Sequence, residues 1–272
     1  MLQRRVSRRS VLQAGAALSL APVLSGALAA AEPLLDIAFT AKVTEVIDGD
    51  TVVLDDGTEV RIVGTQAPKL PLGRPGYPTW PLAPEAKAKM EELTLRRRVG
   101  LGFGGNEWDR NGRRLAHLWR DDGLWVQGTM IETGFARVYG FADNRALLPE
   151  LLALERKARA ASRGIWGNAY YDLLQTSEAE RDADDLVDTF QLVEGRVAEA
   201  ALVRDRAYLN FGSDWHEDFT AVLQPETVDL FLAEGIDPAV FEGRRVRIRG
   251  WIELYNGPMI EVTYPEQIEV LE

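Results

Sequence analysis

Apolar and polar positions alternate most regularly over residues 41–70. Val43, Val46 and Ile47, then Val52, Val53 and Leu54, then Val60, Ile62 and Val63 predict three short strands rich in β-branched residues. Asp56-Gly57 between the second and third is a two-residue hairpin turn. Asp48-Gly49-Asp50-Thr51, between the first two, presents two carboxylates and a hydroxyl at the end of a hairpin, and Arg61 on the third strand comes within reach if the strands pair. The alternation then breaks over residues 68–84, where Pro71, Gly73, Pro75, Gly76, Pro78 and Pro81 surround Arg74, Tyr77 and Trp80. A connection this long covers a site or forms a stiff surface loop whose aromatics close one end of the core. Pro84 opens a helix expected to run to about Arg97, residues 99–103 and 114–119 read as two more strands, and residues 126–133 and 147–162 as two more helices. Leu148, Leu151, Leu152 and Leu154 lie on or near one face of the last.

From Thr189 the strand pattern returns, with strands over residues 190–203, 207–211, 219–223, 245–254 and 259–263 and a short helix over 227–234. Turns fall at Arg204-Asp205-Arg206 and at Tyr255-Asn256-Gly257-Pro258. This order predicts a second, small β-barrel, so the chain is expected to be mainly β with helices, an α+β protein of two domains. The stretch between them carries Glu178, Glu180, Asp182, Asp184, Asp185 and Asp188 with few apolar anchors, and residues 169–188 read as an acidic linker or exposed helix. Along residues 245–254 a period of two places Arg245, Arg247, Arg249 and Trp251 on one face and Val246, Ile248, Gly250 and Ile252 on the other. Three guanidiniums and an indole suit a nucleic-acid strand, by phosphate contact and stacking. The alternative is a solvated face neutralised by Glu253, Glu261 and Glu269.

Composition narrows the choice. With 272 residues, 46% hydrophobic and 27% charged, the chain is of the ordinary globular class and long enough for one large or two small cores. It has no cysteine, which excludes disulfides, thiolate metal sites and a cysteine nucleophile. Ser7-Arg8-Arg9-Ser10-Val11-Leu12 precedes an alanine-rich apolar run ending in small residues, so residues 1–31 read as a twin-arginine export signal and the mature protein as periplasmic or secreted. An N-terminal membrane anchor is the alternative, for which the apolar run is short; no other stretch is long and apolar enough to span a bilayer. The formal charge is −11, and loss of a leader with four arginines and no acid would leave −15. Such a chain attracts no polyanion at long range, so any nucleic-acid binding rests on a local basic patch.

Three segments carry a family resemblance. Asp48-Gly49-Asp50-Thr51 is followed by Arg61 on the next strand and by Gln66-Ala67-Pro68-Lys69; then come Asp109-Arg110-Asn111-Gly112-Arg113-Arg114-Leu115-Ala116 and Arg163-Gly164-Ile165-Trp166. In that order, over residues 38–168, they resemble the staphylococcal nuclease (thermonuclease) family, marked by a DGDT turn, an arginine on the next strand, an Asp-x-Pro-Glu segment and a D-x-x-G-R-x-L-A run. The resemblance implies an oligonucleotide/oligosaccharide-binding (OB) barrel with three helices over residues 38–168, and residues 189–272 then read as a second OB-like barrel.

It also implies calcium-dependent phosphodiester hydrolysis, in which carboxylates hold the ion, a glutamate acts on water and two arginines stabilise the transition state. Asp50 falls on the first metal carboxylate, Arg61 and Arg113 on the arginines, Gln66 on the second metal carboxylate and Lys69 on the general base. An amide brings no charge to calcium, and a lysine, protonated at neutral pH unless buried, cannot serve as base. The expectation is a cleft that keeps phosphate-facing cations, Arg61, Lys69, Arg110 and Arg113, with a weak or absent calcium site. His117 shares strand parity with Arg113 and is the remaining alternative for a proton acceptor. Three functions stay open: a nuclease with altered metal chemistry, a non-catalytic module binding nucleic acid or a nucleotide, and an envelope scaffold for protein partners.

Overall fold

The first hairpins form as their alternation predicts. In the computed structural model, which describes residues 33–214 and 216–271, β1 (Phe39–Asp48) pairs with β2 (Thr51–Leu54), and β2 with β3 (Glu59–Ile62), all antiparallel. The export leader expected over residues 1–31 lies outside the described residues. After the short β4 (Thr65–Gln66) and helix α1 (Ala83–Thr94), β5 (Arg98–Gly102) pairs with β1, and β6 (Arg114–Arg120) joins β5 to β3, the last pair being parallel. The five strands β1-β2-β3-β6-β5 close into a barrel. Val43, Val52, Val60, Ile62, Leu101 and Leu118 fill it, and Met90 of α1, Met130 of α2 (Val126–Glu132) and Leu151 of α3 (Leu148–Ala160) join the same core. Helix α1 stops short of Arg97 because Arg96 turns to φ 63° and the backbone of residues 96 and 97 pairs with Val43. Between α2 and α3, β7 (Arg137–Val138) pairs with β4 at one end of the barrel.

A second unit follows without a linker. Residues 169–188, expected as an acidic spacer, fold onto it: β8 (Leu174–Gln175) pairs with β9 (Phe190–Arg196), and α4 (Thr176–Arg181) and α5 (Ala183–Leu186) place Ala179 and Leu186 against its core. Leu174, Ala179 and Leu186 anchor the stretch despite its acids, and Glu180 adds a bond by accepting from the Phe219 N–H at 3.0 Å. The sheet continues through β10 (Glu199–Val203), β11 (Arg206–Asn210), β12 (Thr220–Leu223), α6 (Pro225–Ala233), β13 (Arg245–Leu254), β14 (Pro258–Val262) and β15 (Ile268–Val270). Its order is β10-β11-β12-β14-β13-β9-β8 with β15 also on β13, a sheet curled around Val193, Leu209, Phe219, Phe231, Ile248 and Ile260.

Most of the arginine face of β13 is closed to a ligand, which corrects the expectation for Arg247 and Arg249, while Arg245 keeps 41% of its side chain exposed beside Glu194. Arg249 is 1% exposed and donates to Glu155 of α3 at 2.8 Å, to Glu269 of β15 at 2.6 Å and to the Val138 carbonyl at 3.1 Å. Arg159 adds contacts to both glutamates, and Arg245 and Arg247 are paired with Glu194 of β9. Three buried carboxylates, Glu155, Glu194 and Glu269, hold the Arg247 and Arg249 guanidiniums inward, because an unpaired charge in that position would cost far more than a solvated one. The network sits between the two units and fixes β13 against β7 and α3. Tyr264, whose hydroxyl accepts from the Gly140 N–H at 3.1 Å, and Arg145, which pairs with Glu234 and Glu266, extend the seam.

Candidate functional site

Asp50 is the centre of the charged constellation at the β4–β7 end of the barrel. Its turn is held by the Asp48 carboxylate, which accepts from the Asp50 N–H at 3.1 Å. Only glycine fits at position 49, since a Cβ there would lie 2.6 Å from the Ala67 Cβ and 3.0 Å from the Ala86 Cβ. Fully buried, the Asp50 carboxylate accepts from Arg61 Nη1 at 2.9 Å, from the Ala67 N–H at 2.9 Å and from Lys69 Nζ at 2.5 Å. Burial alone would push its carboxyl up, but the Arg61 and Lys69 charges and the two hydrogen bonds hold it far below the usual carboxylate range. Asp48 is shifted the other way, raised by burial and by the neighbouring Asp50 charge, with Lys69 at 3.7 Å opposing.

Gln66 does not turn its amide oxygen to this centre. Its Oε1 accepts from Arg137 Nε at 2.8 Å. Arg137 is buried against the Phe190 ring, 4.5 Å from its centroid, and burial lowers its guanidinium to about 10. Calcium needs six to eight oxygen donors with net negative charge. Here both Asp50 oxygens face cations or an N–H, the Gln66 oxygen is engaged by an arginine, and an ammonium lies against the carboxylate. As arranged, these residues do not fit a calcium ion. Among the described residues no group of three His, Cys, Asp or Glu side chains gathers as a metal site would require.

Above Asp50 opens a cleft of about 790 Å³, lined by Arg61, Lys69, Arg74, Arg110 and Arg113 against two carboxylates, Asp109 and Asp143. The loop between β5 and β6 is shaped by Asp109, which accepts from the N–H groups of Asn111 at 2.8 Å and Arg113 at 2.9 Å, while Gly112 supplies φ 78°. The Asp109 carboxylate also holds the Arg113 guanidinium at 2.6 Å, with a quarter of that side chain exposed. The proline-rich loop forms the opposite wall. Arg74 stacks on Tyr77, 3.7 Å from the ring centroid, and Trp80 packs on Tyr170.

Of the residues picked out in the sequence, Arg61, Gln66, Lys69, Arg110 and Arg113 therefore line one cleft, with Asp50 at its base. His117 does not join them. It is buried, its ring 5.9 Å from Trp119 and 5.7 Å from Trp125, with neither ring nitrogen well hydrogen-bonded, and burial, opposed by the Ala146 backbone, lowers it to about 4. Trp251 reaches the cleft while its three arginine neighbours do not. Tyr139 and Phe141, which follow β7 and line the cleft too, were missed. Their two-residue spacing was the available signal, hidden by the glycine and alanine on either side of Phe141.

Comparison with known proteins gives a consistent answer. Residues 59–168 match the family model described as "Staphylococcal nuclease homologue". The chain is 29% identical over 132 residues to the thermonuclease of Staphylococcus hyicus, covering 47% of this chain and 76% of that protein. It is also 29% identical over 140 residues to an uncharacterized endonuclease of Escherichia coli O157:H7, covering 50% and 83%. A further match, to protein ParB of Escherichia coli, is 30% identical over 176 residues and covers 61% and 90%.

Proposed function

Because the chain belongs to the staphylococcal nuclease homologue family, and its relatives include a thermonuclease and an endonuclease, we propose that its cleft binds the phosphodiester backbone of nucleic acid with protein cations alone. In this proposal the calcium-dependent hydrolytic step has been lost. The observation that carries it is the Lys69 ammonium 2.5 Å from the Asp50 carboxylate, on the segment where the family has its base. Arg61 and Arg113 present guanidinium forks suited to two phosphate oxygens, and each is oriented by a carboxylate, Asp50 and Asp109. Lys69 and Arg110 add positive charge beside them. In a protein of net charge −11 this is a focused attraction, felt by a strand at the cleft mouth and screened at a Debye length. With the Arg8-Arg9 leader we extend the proposal to an exported protein, tested by whether Arg8→Lys with Arg9→Lys holds it in the cytoplasm.

The test is a labelled oligonucleotide titrated with the mature protein, in calcium and in chelator, with product analysed by gel. The expected outcome is binding that is the same in both buffers, no cleavage, and affinity reduced roughly tenfold or more by Arg113→Ala. Calcium-dependent cleavage by the natural chain would overturn the proposal in favour of a nuclease with altered metal chemistry.

A further inference from the structure

Two residues apart on β13, side chains part company. Arg249 enters the buried network between the units, and Trp251 emerges at the lip of the cleft that the first unit builds. Trp251 is 40% exposed, yet it is not loose. Its Nε1 donates to the Tyr139 hydroxyl at 3.2 Å, and its ring stands edge-on to Phe190, with centroids 6.0 Å apart and planes at 76°. Tyr139 meets Phe141 edge-on at 5.0 Å, and Phe141 is 45% exposed. The result is a pair of open rings, one from each unit, braced by a tyrosine between them and sharing a cleft with Arg61 and Arg113.

An indole tethered at its polar tip and along one edge has already lost most of its rotational freedom, so a planar ligand can stack on it with little further ordering cost. Aromatic rings beside guanidiniums are the combination that holds an unpaired nucleic-acid strand, bases on the rings and phosphates on the cations. We propose that β13 completes the cleft, with Trp251 and Phe141 stacking the bases of a single strand whose phosphates lie on Arg61 and Arg113. This rests on the reading of the cleft as a phosphodiester site. It adds a substrate class, single-stranded and base-bearing, because a base within a duplex presents no face to a side chain. Trp251 lies outside the residues that match the family model, so the second unit supplies a contact that the nuclease barrel alone lacks. The buried Arg249 network then acts as a positioning device, setting the indole relative to the guanidiniums.

The experiment uses the full mature protein in chelator, with fluorescence anisotropy of a labelled oligothymidylate and competition by inorganic polyphosphate, which has the charge without the bases. Trp251→Ala is expected to weaken the oligonucleotide roughly tenfold and leave polyphosphate competition unchanged, with Trp251→Phe recovering most of the loss. Trp251→Leu, which keeps the apolar cover over Phe190, is expected to behave as Trp251→Ala and serves if the smaller side chain unfolds the seam. An unchanged oligonucleotide affinity in Trp251→Ala and Trp251→Leu, or an equal loss for both ligands, overturns the inference. In either case Arg113→Ala still reports on the phosphodiester site, since it weakens both ligands if that site is real. Failure of the natural protein to bind either ligand overturns both.

Discussion

A buried carboxylate with two cations on it is stable only while both remain. Asp50 is fully buried, and Lys69, with 16% of its side chain exposed, supplies the shorter of its two ionic contacts. Lys69→Met removes that contact and leaves Arg61 to neutralise Asp50 alone, so the unfolding free energy is expected to fall by about 2–3 kcal/mol, read from denaturant melts. Calcium should not offset the loss in Lys69→Met, since Arg61 still holds the Asp50 carboxylate and Asp48 is engaged by the Asp50 N–H. In Lys69→Glu with Gln66→Asp two carboxylates join Asp50, and calcium is expected to raise the melting temperature where it leaves the natural protein unmoved. Gln66→Asp alone should not respond, because the Lys69 ammonium still lies on the Asp50 carboxylate at 2.5 Å. A calcium shift in the natural chain would contradict this account of the centre.

At the scale of elements, β13 decides how the halves are joined. Arg249→Met leaves Glu155 and Glu269 to share Arg159 and Arg247, and the expected loss is about 3–5 kcal/mol in thermal or denaturant melts, little relieved by salt because the pair is shielded from solvent. The first barrel was legible in the sequence, since β-branched alternation, a hairpin dipeptide and the spacing of Asp50, Arg61 and Arg113 all name local structure. The arginine face of β13 was misread for a physical reason: a period of two says which side chains share a face, and nothing about what covers it. Glu155 lies 94 residues away from Arg249 in the chain, and no local pattern predicts that meeting. The acidic stretch was misread because its charges are dense, while its few apolar residues, Ala179 and Leu186 among them, are the ones that pack.

For the molecule as a whole, the buried ionisable groups set a one-sided response to acid. His117 is lowered from 6.5 to about 4 by burial, so below pH 6.5 the unfolded chain takes up a proton that the folded one refuses, and stability falls until about pH 4. Glu269 is pushed up by burial but brought down to about 2 by Arg249, Arg159 and Arg247; its contribution is whole above its ordinary 4.5 and is lost as the pH falls towards 2. Asp50 acts in the same direction. Asp48, raised by burial and by Asp50, works against them and offsets part of the loss. The sum predicts two successive declines, the first between pH 6.5 and 4 and worth on the order of 3 kcal/mol from His117, the second below pH 4.5 from the carboxylates. Denaturant midpoints taken across this range check it. His117→Phe is expected to flatten the first decline whatever it does to absolute stability, since the ring that refuses the proton is gone, and to leave the second in place. A first decline that persists undiminished in His117→Phe would mean that the proton-linked loss comes from elsewhere in the fold.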